Sequence, residues 1–556
     1  MPQPIASDVE KVENRLKSFL DCRLENAGRT KIMADTYIQK IHLKNFRGFK
    51  NKKIDGLSKG LNILIGDNDS GKSTVLLAID LVLSGNTNRV EAIGLDRLLN
   101  QNVVDEFLNG SIKKYEDLPE LELDIYLKEF GRHEFVGEHN LEQLNACGIY
   151  LRCQPRTDLR DEIEALLKKP NIAFPFEYYS VTIKTFSGST VSPYKRPVQH
   201  LSIDNTRISN EYASKAYVKS IYQANSSRDE QNELKFEYRT AKSNFSKERF
   251  VDINRRMDSD YRFALKNNTS SNLETDLTIS QNGIEIENAG VGTQCFIRTR
   301  FALSKKSNID VVLLEEPENH LSHSRMRKLI EEIKGASQSQ LFIATHSSLV
   351  CSRLGLGAAI LLGAQDEDPI KLSSLSQDTA DFFMKAPNSA VLEFVLSKTN
   401  ILVEGDAEFI LMPTFFEKVK GCKLDEVKVN VISIGGLSFP RYLEIAKLLN
   451  IKTAVITDND GDKKTCCEDR YSQFGPVDNI EVFFDGDDAR STFEICVYQD
   501  NTAQCDKLFA EGRRSLTVQD YMLKNKSQAA FVLASKASDE IVAPSYIAEA
   551  IKWVTS

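Results

Sequence analysis

The 556-residue sequence predicts an α/β protein with two separate α/β domains. The segment GLNILIGDNDSGKSTVLLAIDLVLSG, residues 60–85, has the pattern of a strand, a Gly-rich turn and a helix. The apolar runs VVLLEE and QLFIA, which begin at 311 and 340, are short enough to be buried parallel strands. A second series of strands and helices starts at 400 with NILVEGD and continues through VNVISIGG and TAVITDND. Because the pattern restarts, the sequence predicts two domains rather than one.

Four segments are predicted along the chain, whose length allows roughly two to four domains with their own cores. We expect an amphipathic helical extension at 1–35, then a first α/β domain split between 36–150 and 271–395. Polar, charged and helix-favouring residues at 151–270 surround a short strand-like YYSVTIKTF and predict a mainly helical insertion. The second α/β domain is expected to span 396–556.

Composition excludes several classes of protein. Ten cysteines without a C-x-x-C pair favour reduced thiols over a disulfide framework or a zinc ribbon. Because no apolar stretch approaches roughly 18 residues and no signal peptide is recognisable, we expect a cytoplasmic protein with no membrane contact. A net charge of -8 argues against indiscriminate binding to nucleic acids. DNA contacts are therefore expected at basic segments such as 40–53 or 235–256, although solvated helix faces commonly carry such runs.

The Gly-rich turn GDNDSGKST has the spacing of a P-loop and lies between a predicted strand and a predicted helix. Its glycines let the backbone amides face phosphate groups, and the helix N-terminus adds a positive field. Lys72 is expected to reach the β- and γ-phosphates of ATP, and Ser73 to ligate Mg²⁺. The loop residues expected to bind the nucleotide are Gly66, Asn68, Gly71, Lys72, Ser73 and Thr74.

Two later strands supply the groups that a P-loop lacks. The strand VVLLEEPE ends in Glu315 and Glu316, carboxylates suited to holding the water shell of Mg²⁺ and polarising an attacking water. The next strand, in QLFIATHSSL, places His346 where an imidazole could sense the γ-phosphate.

This order of motifs resembles the ATP-binding-cassette (ABC) ATPases of the SMC and RecF type, in which NFRGF, at 45–49, is typical of the first strands. The resemblance places Arg47 with the nucleotide-binding residues. NAGVGTQ, at 288–294, resembles a degenerate signature motif, and an ordinary Gly-rich turn explains it equally well. In that family the signature of one subunit closes on the ATP of another, which implies a head-to-head dimer. Most cassette ATPases have Asp where this chain has Glu315. This difference puts the rate of ATP hydrolysis in question more than the binding of the nucleotide.

A second group of acidic residues follows the predicted strands of the C-terminal domain. Glu404 lies just past one strand with Glu408 a helical turn later, Asp458 and Asp460 end another strand, and Glu494 follows in STFE. Converging carboxylates repel one another unless cations lie between them. Because the last 210 residues contain no histidine, we expect Mg²⁺ or Mn²⁺ held by oxygen ligands.

The lone glutamate with Asp-x-Asp resembles the Toprim domain of topoisomerases, primases and nucleases, a Rossmann-like α/β fold. A cassette ATPase with EEPE, followed by a Toprim domain with LKNKSQAAF and PSYIAEAI, resembles the OLD (overcoming lysogenization defect) nucleases. The resemblance implies that Glu404, Glu408, Asp458, Asp460 and Glu494 are metal ligands. It also implies that Lys526 stabilises charge on the phosphate, with Lys524 and Lys536 as less well-placed rivals.

The resemblance implies an ATP-regulated, divalent-metal-dependent DNA endonuclease of bacterial antiphage defence, related to the Gabija A subunit and to retron-associated effectors. Glu404, Asp458, Asp460, Lys526 and the ATPase residue Glu316 would be catalytic. Expected partners are DNA, a second copy joined through the insertion, and a helicase-like protein or a retron reverse transcriptase with its DNA. The alternatives are a RecF-like ATP-dependent DNA clamp with an inactive Toprim domain and an effector that is active only with a partner.

Overall fold

A computed structural model describes most of the chain in two compact units. The first unit comprises the described residues up to His346 together with Ile360–Pro369, and the second comprises Ser347–Ala359 and Ile370–Ser556. The predicted N-terminal helix at 1–35 lies outside the described residues. The described ranges are 36–128, 133–191, 198–205, 218–257 without 220 and 224, 261–266, 273–303 without 282, 309–336, 339–363, 367–386, 390–435, 439–475, 477–511 and 516–556.

Strands are numbered here in chain order. They are β1 (Ile38–Phe46), β2 (Phe49–Ile54), β3 (Leu61–Ile65), β4 (Leu121–Leu127), β5 (Val136–Gly137), β6 (Ala146–Pro155), β7 (Tyr179–Thr185), β8 (His200–Asp204), β9 (Ser280–Gln281), β10 (Ile284–Glu285), β11 (Val311–Glu315), β12 (Gln340–Ala344), β13 (Ala359–Leu361), β14 (Ile370–Lys371), β15 (Thr399–Val403), β16 (Asn430–Ser433), β17 (Lys452–Ile456) and β18 (Ile480–Phe483).

Helices are numbered in the same way. They are α1 (Lys72–Ser84), α2 (Thr87–Ile93), α3 (Leu95–Leu98), α4 (Gln101–Asn109), α5 (Arg160–Leu167), α6 (Arg228–Arg249), α7 (Val251–Arg255), α8 (Leu273–Asp276), α9 (Val291–Ala302), α10 (His323–Gly335), α11 (Ser348–Leu354), α12 (Gln377–Lys385), α13 (Val391–Leu396), α14 (Asp406–Lys420), α15 (Leu424–Val427), α16 (Phe439–Leu449), α17 (Phe493–Asp500), α18 (Thr502–Phe509), α19 (Val518–Lys524), α20 (Lys526–Lys536) and α21 (Ser545–Val554). Among the described helices, none is long and apolar enough to cross a bilayer.

Two sheets enclose helix α1 in the first unit. One sheet is antiparallel with the order β2-β1-β4-β6-β5, and β7 also pairs with β6. In the other sheet β3, β12, β11 and β8 are parallel neighbours. Helix α1 contacts strands of both sheets, which explains why apolar residues occur all around it. The P-loop helix is therefore fixed within one hydrophobic core.

A buried carboxylate ties α1 to the edge strand β8. Asp80 Oδ1 lies 3.0 Å from His200 Nε2 and accepts a hydrogen bond from Arg89 Nη1 at 3.1 Å. Burial raises the pKa of Asp80, but His200 and Arg89 together lower it by more than burial raises it. The pKa of Asp80 therefore lies below its usual value. The carboxylate is thus held ionised where an unpaired charge would destabilise the fold.

Residues 151–270 contribute strands as well as helices. β7 pairs with β6, as the strand-like YYSVTIKTF indicates, and β8 pairs with β11 in the parallel sheet. The sequence does not predict β8, because a five-residue HLSID run carries little strand signal. Within this segment α5 precedes β8, whereas α6 and α7 follow it.

The second unit contains a parallel sheet with the order β16-β15-β17-β18. Asn400–Val403 of β15 and Thr453–Ile456 of β17 are buried throughout, as expected for parallel strands covered on both faces. Helices α14 and α21 pack against this sheet and against each other, and α20 packs on α14. The predicted α/β class is confirmed for both units.

Candidate functional site

The nucleotide pocket begins where β3 ends. The P-loop needs unusual backbone conformations, with φ of 157° at Gly66, 90° at Gly71 and 65° at Asp69. A Cβ on Gly71 would lie 2.1 Å from Phe49 Cζ, so the buried Phe49 ring takes the space that any side chain would need. Glycine is therefore required at Gly71 by both conformation and space.

Lys72 lies over the loop that it is expected to serve. Its Nζ donates to the carbonyl oxygens of Gly66 at 2.8 Å and Asp67 at 2.9 Å. Burial lowers the pKa of Lys72, and the nearby carboxylates, Glu316 foremost, act in the opposite direction. The lysine is thus held beside the cavity by neutral acceptors that phosphate oxygens can replace.

Most of the expected nucleotide-binding residues line one cavity of about 720 Å³, whereas Gly66 and Glu315 are not among its lining residues. The cavity brings His346, which follows β12, next to the P-loop and the NFRGF turn. Its position follows from the sheet, because parallel neighbours present their carboxyl ends at one edge. The lining residues are Arg47, Gly48, Phe49, Asn68, Asp69, Gly71, Lys72, Ser73, Thr74 and His346.

Three glutamates follow β11 beside this cavity. Glu315 ends the strand, and Glu316 has a φ of 45° and lies 3.6 Å from His346 Nε2 through its Oε1. Glu318, which the sequence analysis did not single out, accepts hydrogen bonds from Thr345 Oγ1 at 2.5 Å and from the His346 amide at 3.2 Å. Burial, and then the Glu318 carboxylate, raise the pKa of Glu316 to about 8. In the sequence, Glu318 could have been recognised as the third acidic residue of EEPE.

The segment expected to be a signature motif packs on the turn after β11. A Cβ on Gly292 would lie 2.1 Å from the carbonyl oxygen of His320, and Arg325 Nη1 donates to Thr293 Oγ1 at 2.6 Å. Helix α9 starts at Val291, so the glycines of NAGVGTQ lie around its N-terminus. The closeness of the two backbones explains the glycine at 292 without reference to a second subunit.

The acidic residues of the second unit meet at the carboxyl ends of β15 and β17. Glu404 Oε1 accepts hydrogen bonds from Thr457 Oγ1 at 2.5 Å and from the Asp458 amide at 3.0 Å. Asp458 Oδ1 in turn accepts from the amide of Phe493, which opens α17, at 2.8 Å. The register Val403↔Ile456 sets the two strand ends side by side.

Four carboxylates and one ammonium group form this carboxylate cluster: Glu404, Glu408, Asp458, Glu494 and Lys526. Burial raises the pKa of Asp458 to about 8, and the charges of Glu404, Glu408 and Glu494 act in the same direction. Burial likewise raises the pKa of Glu408 to about 7, with Glu494 and Glu404 contributing. The four carboxylates therefore outnumber the single ammonium group, and a divalent cation would relieve the remaining repulsion.

Lys526 partly compensates this charge from the first turn of α20. Its Nζ lies 3.0 Å from Glu494 Oε2. Burial lowers the pKa of Lys526, but Glu494 and then the other carboxylates raise it above its usual value. Lys524 and Lys536, the rivals considered from the sequence, are exposed.

Across the described residues, no group of three or more His, Cys, Asp or Glu side chains stands ready to hold a metal ion. Glu404 is engaged by Thr457 and Glu494 by Lys526, so their oxygens face protein donors. Asp460 lies on an exposed turn with a φ of 50°. The donor set itself fits Mg²⁺ or Mn²⁺, because it consists of carboxylate oxygens.

Two further residues, one bonded to the cluster and one influenced by its charges, were missed from the sequence. Thr457 donates to Glu404, and its place directly before Asp458 in ITDND was the available signal. Tyr546, from PSYIAEAI, is buried, and burial followed by nearby acidic groups including Asp458 and Glu408 raises its pKa. A tyrosine in an apolar helix gives no sequence signal for such a position.

Comparisons with known proteins match a domain in each of the two units. Residues 395–460 match the family model "Overcoming lysogenization defect protein-like, TOPRIM domain". Residues 37–130 match an "AAA ATPase domain", and a further AAA-domain model matches 194–352. The chain is a fusion of an ATPase domain and an OLD-like Toprim domain. The predicted resemblance is confirmed for this ATPase–Toprim fusion.

Similar proteins match parts of the ATPase–Toprim fusion. The Septu protein PtuA of Bacillus mycoides (strain KBAB4) is 35% identical over 132 residues, 23% of this chain and 18% of that protein. The Structural maintenance of chromosomes protein 3 homolog of Plasmodium falciparum (isolate 3D7) is 31% identical over 124 residues, 20% of this chain and 10% of that protein. The chain thus spans less than a fifth of the length of these curated relatives. The solved C-terminal region of the Burkholderia pseudomallei OLD protein aligns with 29% of this chain and 97% of that chain, at 21% identity and a TM-score of 0.22.

Proposed function

We propose that the ATPase–Toprim fusion is an ATP-regulated, divalent-metal-dependent DNA endonuclease that acts in bacterial antiphage defence. The observation that carries this proposal is the buried carboxylate cluster at the ends of β15 and β17, with the pKa of Asp458 raised to about 8. Such a concentration of like charge is costly to a fold and commonly marks a functional site. The defence role rests on the resemblance to the OLD nucleases.

Glu404, Glu408, Asp458 and Glu494 would hold Mg²⁺ or Mn²⁺, with Asp460 contributing from its exposed turn. Bound metal would supply an activated water and charge stabilisation for the leaving oxygen of a phosphodiester. Thr457 and the Asp458 amide orient Glu404, and the Phe493 amide orients Asp458. Lys526, half exposed at the edge of the cluster, would contact the scissile phosphate once it leaves Glu494.

The nucleotide pocket would regulate rather than perform cleavage. Hydrolysis of a phosphodiester needs no energy from ATP, so nucleotide binding is expected to bias conformation or assembly. Lys72 and Ser73 would hold the phosphates and Mg²⁺, Glu315 the water shell of that ion, and Glu316 would polarise the attacking water. A head-to-head dimer through the segment 288–294 would complete the pocket.

Incubation of supercoiled plasmid with pure protein and Mn²⁺, with and without ATP, tests the proposal. We expect wild-type protein to nick or linearise the plasmid, Glu404→Gln to lose cleavage, and the exposed Glu417→Gln to retain it. Lys72→Ala should cleave with Mn²⁺ but no longer respond to ATP. Cleavage that survives Glu404→Gln would contradict the assignment.

A second candidate is a RecF-like DNA clamp whose Toprim domain is inactive or waits for a partner protein. The observation that favours it is the pairing of Lys526 with Glu494, together with the lack, among described side chains, of a group arranged to hold a metal. Wild-type protein that binds DNA with ATP, yet leaves plasmid intact with every divalent ion tried, would support this candidate instead.

A further inference from the structure

The C-terminal end of α6 carries an unusual surface for a protein of net charge -8. α6 has 22 residues, and none of them is buried. It begins with a capping box in which Ser227 and Glu230 satisfy each other's backbone amides. Lys235 and Tyr238 of α6 pair with Glu274 and Asp276 of α8, but no residue of the helix is buried in a core, and the exposed side chains at its C-terminal end can reach a ligand.

The end of this helix has a defined structure, which we call the α6 tip: residues 245–257 and 261–266. Asn254 Nδ2 donates to the Phe263 carbonyl at 3.0 Å, and the Phe263 amide donates to Asn254 Oδ1 at 2.7 Å. The Leu265 amide donates to Ser246 Oγ at 2.9 Å. These bonds hold the segment 261–266 against the helix end.

Aromatic rings lie open to solvent on the α6 tip. Tyr261 is 79% exposed, Phe263 55% and Phe245 51%, and Phe250 packs edge-to-face on Phe245 with 5.9 Å between ring centroids. Single exposed apolar residues are ordinary, but several rings on one fixed segment indicate an interaction surface. The ligand should therefore offer flat apolar faces.

The same segments also carry cations. The α6 tip carries Lys247, Arg249, Arg255, Arg256, Arg262 and Lys266. Its acidic residues within the described ranges are Glu248 and Asp252, and the latter lies 3.5 Å from Arg255 Nη1. The ligand should therefore be anionic as well as flat-faced.

We propose that the α6 tip binds single-stranded DNA, with unpaired bases stacking on Tyr261, Phe263 and Phe245 and the backbone phosphates contacting the cations. Stacking on aromatic side chains inside a basic groove is the usual way to bind single strands without sequence preference. A duplex hides the faces of its bases and offers phosphates alone. The α6 tip shares no residue with the carboxylate cluster, so it would select the substrate independently of cleavage.

Binding of a fluorescein-labelled 20-nucleotide oligothymidine, measured by anisotropy in EDTA without ATP, tests this inference. Tyr261→Ala/Phe263→Ala should weaken binding by about fivefold to a hundredfold for each stacked base. Arg255→Gln/Arg256→Gln should make the negative slope of log affinity against log salt concentration shallower by about 1.4. Each phosphate contact to a single strand contributes about 0.7 to this slope. Lys168→Gln/Lys169→Gln, an exposed pair after α5, should change neither quantity.

Three results would overturn the inference. The first is an unchanged affinity for the oligothymidine in Tyr261→Ala/Phe263→Ala. The second is a 20-base-pair duplex that binds as tightly as the single strand and loses as much affinity on the aromatic substitutions. The third is variants that lose self-association in sedimentation velocity while they keep their affinity for DNA. The last result would assign the surface to pairing with a second copy. Because EDTA prevents cleavage, failure here and failure of the nuclease assignment are separate outcomes, and circular dichroism of each variant confirms that α6 is retained.

Discussion

The nucleotide pocket and the carboxylate cluster are both built where neighbouring parallel strands end, yet their lysines are held differently. Lys72 donates to backbone carbonyls of its own loop, around a cavity of about 720 Å³. Lys526 lies 3.0 Å from a carboxylate of the cluster itself. The nucleotide pocket is thus shaped before ATP binds. In the carboxylate cluster, by contrast, a bound metal ion would have to replace the ammonium group of Lys526.

The largest effect is expected from Lys526→Met. Removal of the ammonium group should lower plasmid cleavage about 10²- to 10³-fold, as loss of a group aimed at developing negative charge does elsewhere. The same variant should bind Mn²⁺ more tightly in calorimetry, because Glu494 loses its internal partner. Lys524→Met and Lys536→Met are matched controls on neighbouring exposed lysines, and equal losses in them would refute a special role for Lys526.

A smaller effect is expected at the pre-shaped pocket. Gly71→Ala should weaken ATP binding about tenfold or more, since a strained backbone costs about 1–3 kcal/mol before the clash with Phe49 is counted. Gly475→Ala, where a Cβ meets nothing within 4 Å, is the control. Fluorescent-nucleotide titration measures the affinity. Metal-dependent cleavage by Gly71→Ala should persist, and its loss would show that the two sites are not separable.

The smallest effect is a dependence of stability on pH in EDTA. Because the pKa of Asp458 is raised to about 8 in the folded protein, its contribution to stability is complete below the unfolded value of about 4 and is lost as pH rises through about 8. The melting temperature should therefore fall by a few degrees across this window. Asp458→Asn should flatten the profile, and the exposed Asp425→Asn should leave it unchanged. An identical profile in all three proteins would contradict the charge repulsion.

The two sites also differ in how far the sequence predicts them. The P-loop is contiguous, so spacing and flanking elements locate its residues, and all the predicted loop residues except Gly66 line one cavity. The carboxylate cluster joins residues from four separate stretches, and the sequence could name its acidic residues but not the groups that hydrogen-bond to them. Thr457 and Glu318 act through hydrogen bonds that depend on strand register. Strand β8 was not predicted, because its pairing with β11, rather than the sequence of its own five residues, stabilises it.

Calorimetric titration of Mn²⁺ into nucleotide-free protein tests the central claim most directly. The carboxylate cluster should bind Mn²⁺ in the wild-type protein and in Ser73→Ala, whose substitution removes only the metal contact expected in the nucleotide pocket. Glu404→Gln/Asp458→Asn should abolish that binding. Wild-type protein that binds no Mn²⁺, or a double variant that binds it as tightly as the wild type, would contradict the account.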